Sequence, residues 1–170
     1  MNQSWSSGYV ADVPYLEGFY VQQSPARMVL TCLLRGVVAD LPSPTDEACY
    51  VELGCGVGFG ALMIAASNPG WKVVAIDYNP AHIAVGVGLA RAAGLDNIEF
   101  LEADVSQLSP SALPTADFVT LHGLWSCRVT KSAVGSAPGE SCETSASRNS
   151  ILSSPAARAS PTPTAICAGL

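Results

Sequence analysis

The chain reads as an α/β protein built on a parallel sheet of about four strands with helices between them, and three observations carry that expectation. Short apolar runs alternate with helical patterns between residues 24 and 122. A glycine-rich turn, Gly54-Cys-Gly-Val-Gly-Phe-Gly60, joins the first run to the helix after it. Acids stand at or just after the end of the first three runs: Glu52, Asp77, and Glu102 with Asp104. Strand–helix–strand repeats imply right-handed crossovers, which bring the carboxyl ends of the strands to one edge.

Each element has its own signals. Ser24-Pro25 caps and opens a first helix, with Val29, Cys32, Leu33 and Val37 at helical spacing. Leu41-Pro-Ser-Pro44 is a connector, and Ala48 to Leu53 is a short buried strand. The next helix starts near Phe59, which leaves the glycines in the turn between. Trp71 to Ile76 is a second strand, apolar apart from Lys72, and ends in Asp77. Asn79-Pro80 opens another helix, with Ile83, Val87 and Ala90 on one face and Gly94 as its stop. Gly86 and Gly88 inside that helix cost about 1 kcal/mol each relative to Ala. Ile98 to Leu101 is a third strand, and Phe118 to His122 a fourth.

The turn points to a nucleotide-like cofactor. Gly54, Gly56 and Gly58 tolerate positive φ and lack Cβ, so backbone N–H groups can approach a ligand closely. The helix N-terminus behind them favours a negative group. Gly56-Val-Gly58-Phe-Gly60-Ala61 fits the start of a dinucleotide fingerprint only loosely. Asp77 stands at roughly the separation where an acid meets ribose hydroxyls, and it is equally placed to cap the helix opened by Asn79-Pro80. Ligands of open α/β sheets bind at the carboxyl edge where these acids gather.

Together these segments resemble the class I S-adenosylmethionine-dependent methyltransferases. Glu52-Leu-Gly-Cys-Gly-Val-Gly58 looks like their first motif, Val74-Ala-Ile-Asp77 their second, Glu102-Ala-Asp104 their third, and Asp117-Phe-Val-Thr-Leu-His122 their fourth. Tyr9-Val-Ala-Asp-Val-Pro-Tyr15, Asn79-Pro-Ala-His-Ile83 and Leu121-His-Gly-Leu-Trp-Ser126 are similar to a bacterial group that carries a methyltransferase regulatory domain after the catalytic one. Protein-lysine methyltransferases occur in that group. The resemblance implies a Rossmann-like fold and S-adenosyl-L-methionine as cofactor. It implies that Gly54, Gly56 and Gly58 line the methionine moiety, with Glu52 near its amino group and Asp77 on the ribose. Asp104 would accept from the adenine amino group while the Val105 N–H meets a ring nitrogen; capping the turn after the third strand is an equal reading of Asp104.

Two further residues are candidates for the acceptor side. Tyr9, Tyr15, Phe19 and Tyr20 form an aromatic arm over residues 1–23, and the resemblance implies that such a segment folds over the cofactor, Tyr15 being the position of choice. Packing of the arm on the sheet explains the aromatics as well. His122, at the end of the fourth strand, could orient or deprotonate a nucleophile, against the bland reading of a structural imidazole. No Asp/Asn-Pro-Pro-aromatic motif of amino-group methylases follows Thr120.

Composition narrows the partners. The net charge is −6, which disfavours a general nucleic-acid binder and leaves basic protein substrates open. Met1-Asn-Gln-Ser-Trp-Ser has no charged region followed by an apolar one, and no apolar run reaches about 18 residues, so a cytoplasmic protein without a membrane span is expected. The six cysteines include no Cys-x-x-Cys pair and only His82 and His122 could complement them, so no metal site is expected and the thiols read as reduced.

The charge is uneven. Through Trp125 four basic residues face twelve acids; afterwards four basic residues face two. Residues 126–170 contain no Phe, Tyr or Trp, and Ser, Thr, Pro, Ala and Gly make up 29 of those 45 positions. Such a segment cannot bury enough apolar area to offset the entropy of ordering, so a disordered tail without strands is expected. The domain reading is thus an arm over 1–23, a cofactor-binding half-domain over 24–125 and a tail over 126–170. The methyltransferase resemblance ends near residue 126, inside a motif, which points to a frameshift or an early stop in the gene model; a genuine tail on a shortened protein is the alternative. An incomplete sheet would leave the fourth strand as an open edge through which chains associate. The functional alternatives are a non-catalytic module that keeps the cofactor cleft and, fitting less well, an NAD-dependent oxidoreductase, for which no Tyr-x-x-x-Lys pattern is present.

Overall fold

The computed structural model describes residues 18–109 and 112–122, together with the backbone of 151–152 and 167–168. Tyr9, Tyr15 and most of the segment after 122 lie outside the described residues, as does the expectation of disorder there. A 3-10 turn over Val21–Gln23 leads into α1 (Pro25–Leu34), followed by β1 (Ala48–Leu53), α2 (Phe59–Ser67), β2 (Trp71–Asp77), α3 (Pro80–Ala92), β3 (Ile98–Glu102) and β4 (Phe118–Leu121). The strand order is β3-β2-β1-β4, with all three of these pairings parallel.

Side-chain alternation along the strands divides the core into two layers. Ala48 and Tyr50 of β1, Trp71, Val73 and Ala75 of β2 and Phe118 of β4 pack on Met28 of α1 and on Ala61, Ile64 and Ala65 of α2. The Trp71 and Phe118 rings stack at 5.5 Å. The opposite face, with Val51, Val74 and Ile76, is covered by the segment after β3 through Val105, Leu108, Leu113 and Ala116. One amide fastens the lower end of the first layer: Asn97 Nδ2 donates to the carbonyls of Ala65, Asn68 and Trp71 at 3.1, 3.0 and 3.1 Å.

Several sequence expectations need correction. Ser24 precedes α1 but makes no side-chain cap bond. The buried face of α1 is Met28 and Cys32 with Val29 against it, while Leu33 is 59% exposed, because the helix turns its last residues away from the sheet. In α3 the inward positions are Gly86 and Ala90, and Val87 is 39% exposed. Gly86 faces inward because the Phe100 ring fills the place its Cβ would take; Phe100 likewise blocks a side chain at Gly58. Hydrophobicity gives glycine no weight, which is why its neighbour Val87 looks like the core residue.

Beyond the four parallel strands, two short backbone segments of the later chain are described. The two-residue strands β5 (Ile151–Leu152) and β6 (Cys167–Ala168) extend the sheet beyond β4, with Val119 opposite Leu152 in antiparallel pairing. Edge N–H and C=O groups pair with backbone regardless of side chain, so composition gives no sign of such a rung.

Candidate functional site

The glycine turn is held by its own hydrogen bonds. Gly54, Gly56 and Gly58 have φ of 71°, 57° and 76°, the left-handed region that glycine enters without strain. The N–H groups of Gly54 and Cys55 both donate to Ile76 O, at 2.8 and 2.9 Å, and Gly58 N–H donates to Cys55 O at 2.9 Å. Gly56 N–H donates to Asp77 Oδ2 at 2.8 Å. These four N–H groups therefore shape the turn, and the missing glycine side chains leave room beside it.

Asp77 ends β2 with a carboxylate that is 6% exposed. Its Oδ1 accepts from Asn79 N–H at 2.9 Å, and His82 Nδ1 lies 3.4 Å away. Thus Asp77 orders the turns after β1 and after β2, while Asn79 itself caps α3 by accepting from Ala81 N–H at 3.0 Å. Each carboxylate oxygen has two lone pairs, so these bonds do not exhaust its capacity. His82, one turn into α3, was not singled out for this site from the sequence; its place beside Asp77 follows from the tight β2–α3 connection.

Glu52 lies on the same face of β1, opposite Ala75 on β2 and Thr120 on β4. It is 5% exposed, and burial pushes its carboxyl up to about 7, held back by the Gln23 hydrogen bond and by the orphan Ala61 N–H at the start of α2, with the Asp77 charge adding a smaller push upward. α2 has no acid in its first turn and begins at Gly58 without a side-chain cap, so the Glu52 carboxylate beneath Gly60 complements that helix end.

Gln23 was missed by sequence reasoning. It is only 4% exposed, and its Nε2 donates to Glu52 Oε1 at 3.1 Å. Tyr50 fixes the same turn: its hydroxyl donates to Gln23 O at 3.3 Å and lies 2.8 Å from Thr120 Oγ1. A polar residue at the end of an aromatic segment, 29 positions before its partner, carries no local signal. Next to it the Tyr20 ring stacks on His122 at 3.7 Å, so the described end of the arm crosses to the tip of β4. His122 lies just beyond β4, not inside it.

Asp104 follows β3 and caps the 3-10 turn Val105–Gln107 by accepting from Ser106 N–H at 2.8 Å. The capping reading of Asp104 thus describes its local geometry, at the same carboxyl edge as Glu52 and Asp77. Among the described residues no group of three or more His, Cys, Asp or Glu side chains is arranged to hold a metal ion. Burial pushes the Cys55 thiol, inside the turn, well above its ordinary range, helped by Glu52 and Asp77, which makes it a poor nucleophile. No helix among the described residues is long and apolar enough to cross a membrane.

Comparison with known proteins agrees with this geometry. The methyltransferase domain family matches residues 51–137, from within β1 to past β4. The chain is 34% identical over 123 residues to an uncharacterized protein of Synechocystis sp., covering 72% of this chain and 24% of that protein. It is 30% identical over 86 residues to a protein described as an uncharacterized RNA methyltransferase of Leptospira interrogans, covering 50% of this chain and 21% of the relative. PKMT2 from Rickettsia typhi, solved in complex with AdoHcy, shares the fold at a TM-score of 0.61 with 24% identity, over 69% of this chain and 22% of that one. The chain spans about a quarter or less of each of these proteins.

Proposed function

Because the chain belongs to the methyltransferase domain family, we propose that it binds S-adenosyl-L-methionine at the carboxyl edge of β1 and β2 and presents the methyl group to an acceptor. The observation that carries this reading is the pairing of the glycine turn with Asp77 and Glu52 on one face of the sheet edge.

The residues present fit the cofactor. Buried Glu52 Oε2 has no hydrogen-bond partner among the described residues, which suits a donor such as an ammonium group. Asp77 keeps lone pairs for ribose hydroxyls while its backbone bonds fix the carboxylate in place. Gly54, Gly56 and Gly58 would leave the methionine moiety room to lie against backbone, Asp104 would accept from the adenine amino group, and the Val105 N–H would meet a ring nitrogen. When bound, the cofactor supplies an electrophilic methyl group on a sulfonium centre, open to in-line displacement. The protein's part is to hold the acceptor in line and to keep water out. Acids around a cationic ligand favour its binding. His122, which stacks on Tyr20 at the tip of β4, is the residue we assign to orienting the acceptor, and Tyr15 is kept from the sequence as the second candidate.

The acceptor is read as a basic protein side chain, because protein-lysine methyltransferases occur in the bacterial group that the sequence resembles. Support comes from the charge: four basic residues against twelve acids through Trp125. The relative described as an RNA methyltransferase supplies the competing acceptor class, and such a balance repels a polyanion. Incubation with labelled S-adenosylmethionine and either a lysine-rich protein or RNA tests the choice. Label in the protein is expected; label in RNA alone overturns the acceptor, and binding without transfer to any acceptor identifies a non-catalytic module.

A further inference from the structure

The three helices stand on one face of the sheet: Met28 of α1 and Ala61, Ile64 and Ala65 of α2 pack on it, and the Phe100 ring of β3, on the same face, abuts Gly86 of α3. The outer side of this layer is apolar where a surface is ordinarily charged. Leu30 and Leu34 of α1, Met63 of α2, and Val85 and Leu89 of α3 are all exposed, Leu34 to 77%. Leu30 with Leu34, and Val85 with Leu89, stand one turn apart and form stripes along their helices. A helix that is apolar on its outer side as well as its inner one is a helix made to be covered, and exposed apolar side chains grouped on one face mark an interaction surface. The charges are sorted in the same way. None of the fourteen acids lies in α1, α2 or α3. Arg27, Arg91 and, at the C-cap of α1, Arg35 are exposed in this layer, and none has an ion-pair partner among the described residues. Lys72, the fourth basic residue before Trp125, is instead paired with Glu99 at 3.2 Å. The helical layer is thus a cationic, apolar face on an otherwise acidic domain.

We propose that the outer side of α1, α2 and α3 docks an acidic amphipathic helix of a partner protein, whose apolar side chains cover the exposed leucines, valine and methionine while its carboxylates meet Arg27, Arg35 and Arg91. Charge complementarity selects this occupant. An arginine and a carboxylate at the rim of an apolar contact form a charge-assisted, two-pronged hydrogen bond, and apolar anchors one turn apart are what a docked helix presents. A second copy of the chain fits less well, because a two-fold pairing of this layer sets arginines against arginines. Nucleic-acid interfaces are polar and strongly basic, whereas here three arginines stand among leucines and valines. RNA or an anionic membrane would also extend past the layer to the twelve acids that precede Trp125, whose field repels it. A single helix is short enough to stay on the cationic face. The surface lies on the outer side of the helices, so its occupation leaves the carboxyl edge of β1 and β2 open.

Fluorescence anisotropy on the full chain tests the docking with two labelled synthetic helices that share one leucine stripe, flanked by glutamates in the first and by lysines in the second. The glutamate helix is expected to bind about tenfold or more tightly than the lysine helix, by a margin that shrinks as salt is added. The triple change Arg27→Glu, Arg35→Glu and Arg91→Glu is expected to reverse the preference, and the double change Leu30→Ser and Leu34→Ser to weaken both helices severalfold. All five positions are exposed, so circular dichroism melts of both variants should match the unaltered chain. No binding of the glutamate helix, equal binding of the two, or a preference that survives the charge reversal overturns the proposal. Tighter binding of an RNA oligonucleotide or of phosphatidylserine vesicles, or a dimer in sedimentation that the leucine changes dissolve, gives the face another occupant and overturns this one.

Discussion

Asp77 Oδ2 accepts a 2.8 Å hydrogen bond from the Gly56 N–H, so the acid that ends β2 holds the glycine turn that ends β1. The two features that mark the site in the sequence are one structural unit. A change in either carries to the other, and loss of Asp77 removes a ligand contact and the support of the turn together.

For Asp77→Ala, the bonds from Gly56 and Asn79 to a charged acceptor are both lost, at about 1.5–3 kcal/mol each before relaxation. The variant is expected to be less stable by a few kcal/mol and, where still folded, to bind S-adenosylhomocysteine more weakly than its stability loss explains. Denaturant melts paired with calorimetry on the folded fraction check this. Unchanged affinity removes Asp77 from the ribose.

Stability should fall as pH rises through the titration of Glu52. Burial raises its folded-state pKa from an ordinary 4.5 to about 7, so the folded protein holds this proton more tightly than the unfolded chain. The stabilisation is complete below about pH 4.5 and gone above about pH 7, a change on the order of 3 kcal/mol. Glu52→Gln, neutral throughout, should flatten that part of the curve and gain on the parent at pH 8, while binding the cofactor less well. A melt series from pH 4.5 to 8 in which both proteins keep the same slope would refute this account of Glu52.

Two glycines of α3 should respond with opposite signs. Gly88 faces open space, so Gly88→Ala is expected to stabilise by about 0.5–1 kcal/mol. Gly86→Ala drives a methyl into the Phe100 ring and the Val57 carbonyl, and should destabilise by about 1–3 kcal/mol. Adding Phe100→Leu to Gly86→Ala should recover part of that loss, a coupling that a double-mutant cycle measures. Equal effects at the two positions would show that Phe100 does not set the requirement.

Much of this was legible where one residue type has one local meaning. The β1 bounds, the start of α2 at Phe59, the Asn79 cap and the positive φ at Gly54, Gly56 and Gly58 follow from apolar runs and turn chemistry that short stretches carry by themselves. Expectations failed where meaning comes from a distant partner. Gly86 faces the core because of Phe100, and Gln23 is buried because of Glu52; neither partner is within ten positions. Asp77 sits between these cases. Its place at the end of β2 was readable, whereas its grip on Gly56 depends on two turns meeting across the parallel pair β1 and β2.

The most direct measurement is an equilibrium titration of the chain with S-adenosylmethionine in the presence and absence of NAD, repeated on Asp77→Ala. The account predicts saturable binding at a single site, indifferent to NAD and weakened by the substitution. Displacement by NAD, or no binding of S-adenosylmethionine by the folded chain, would contradict it.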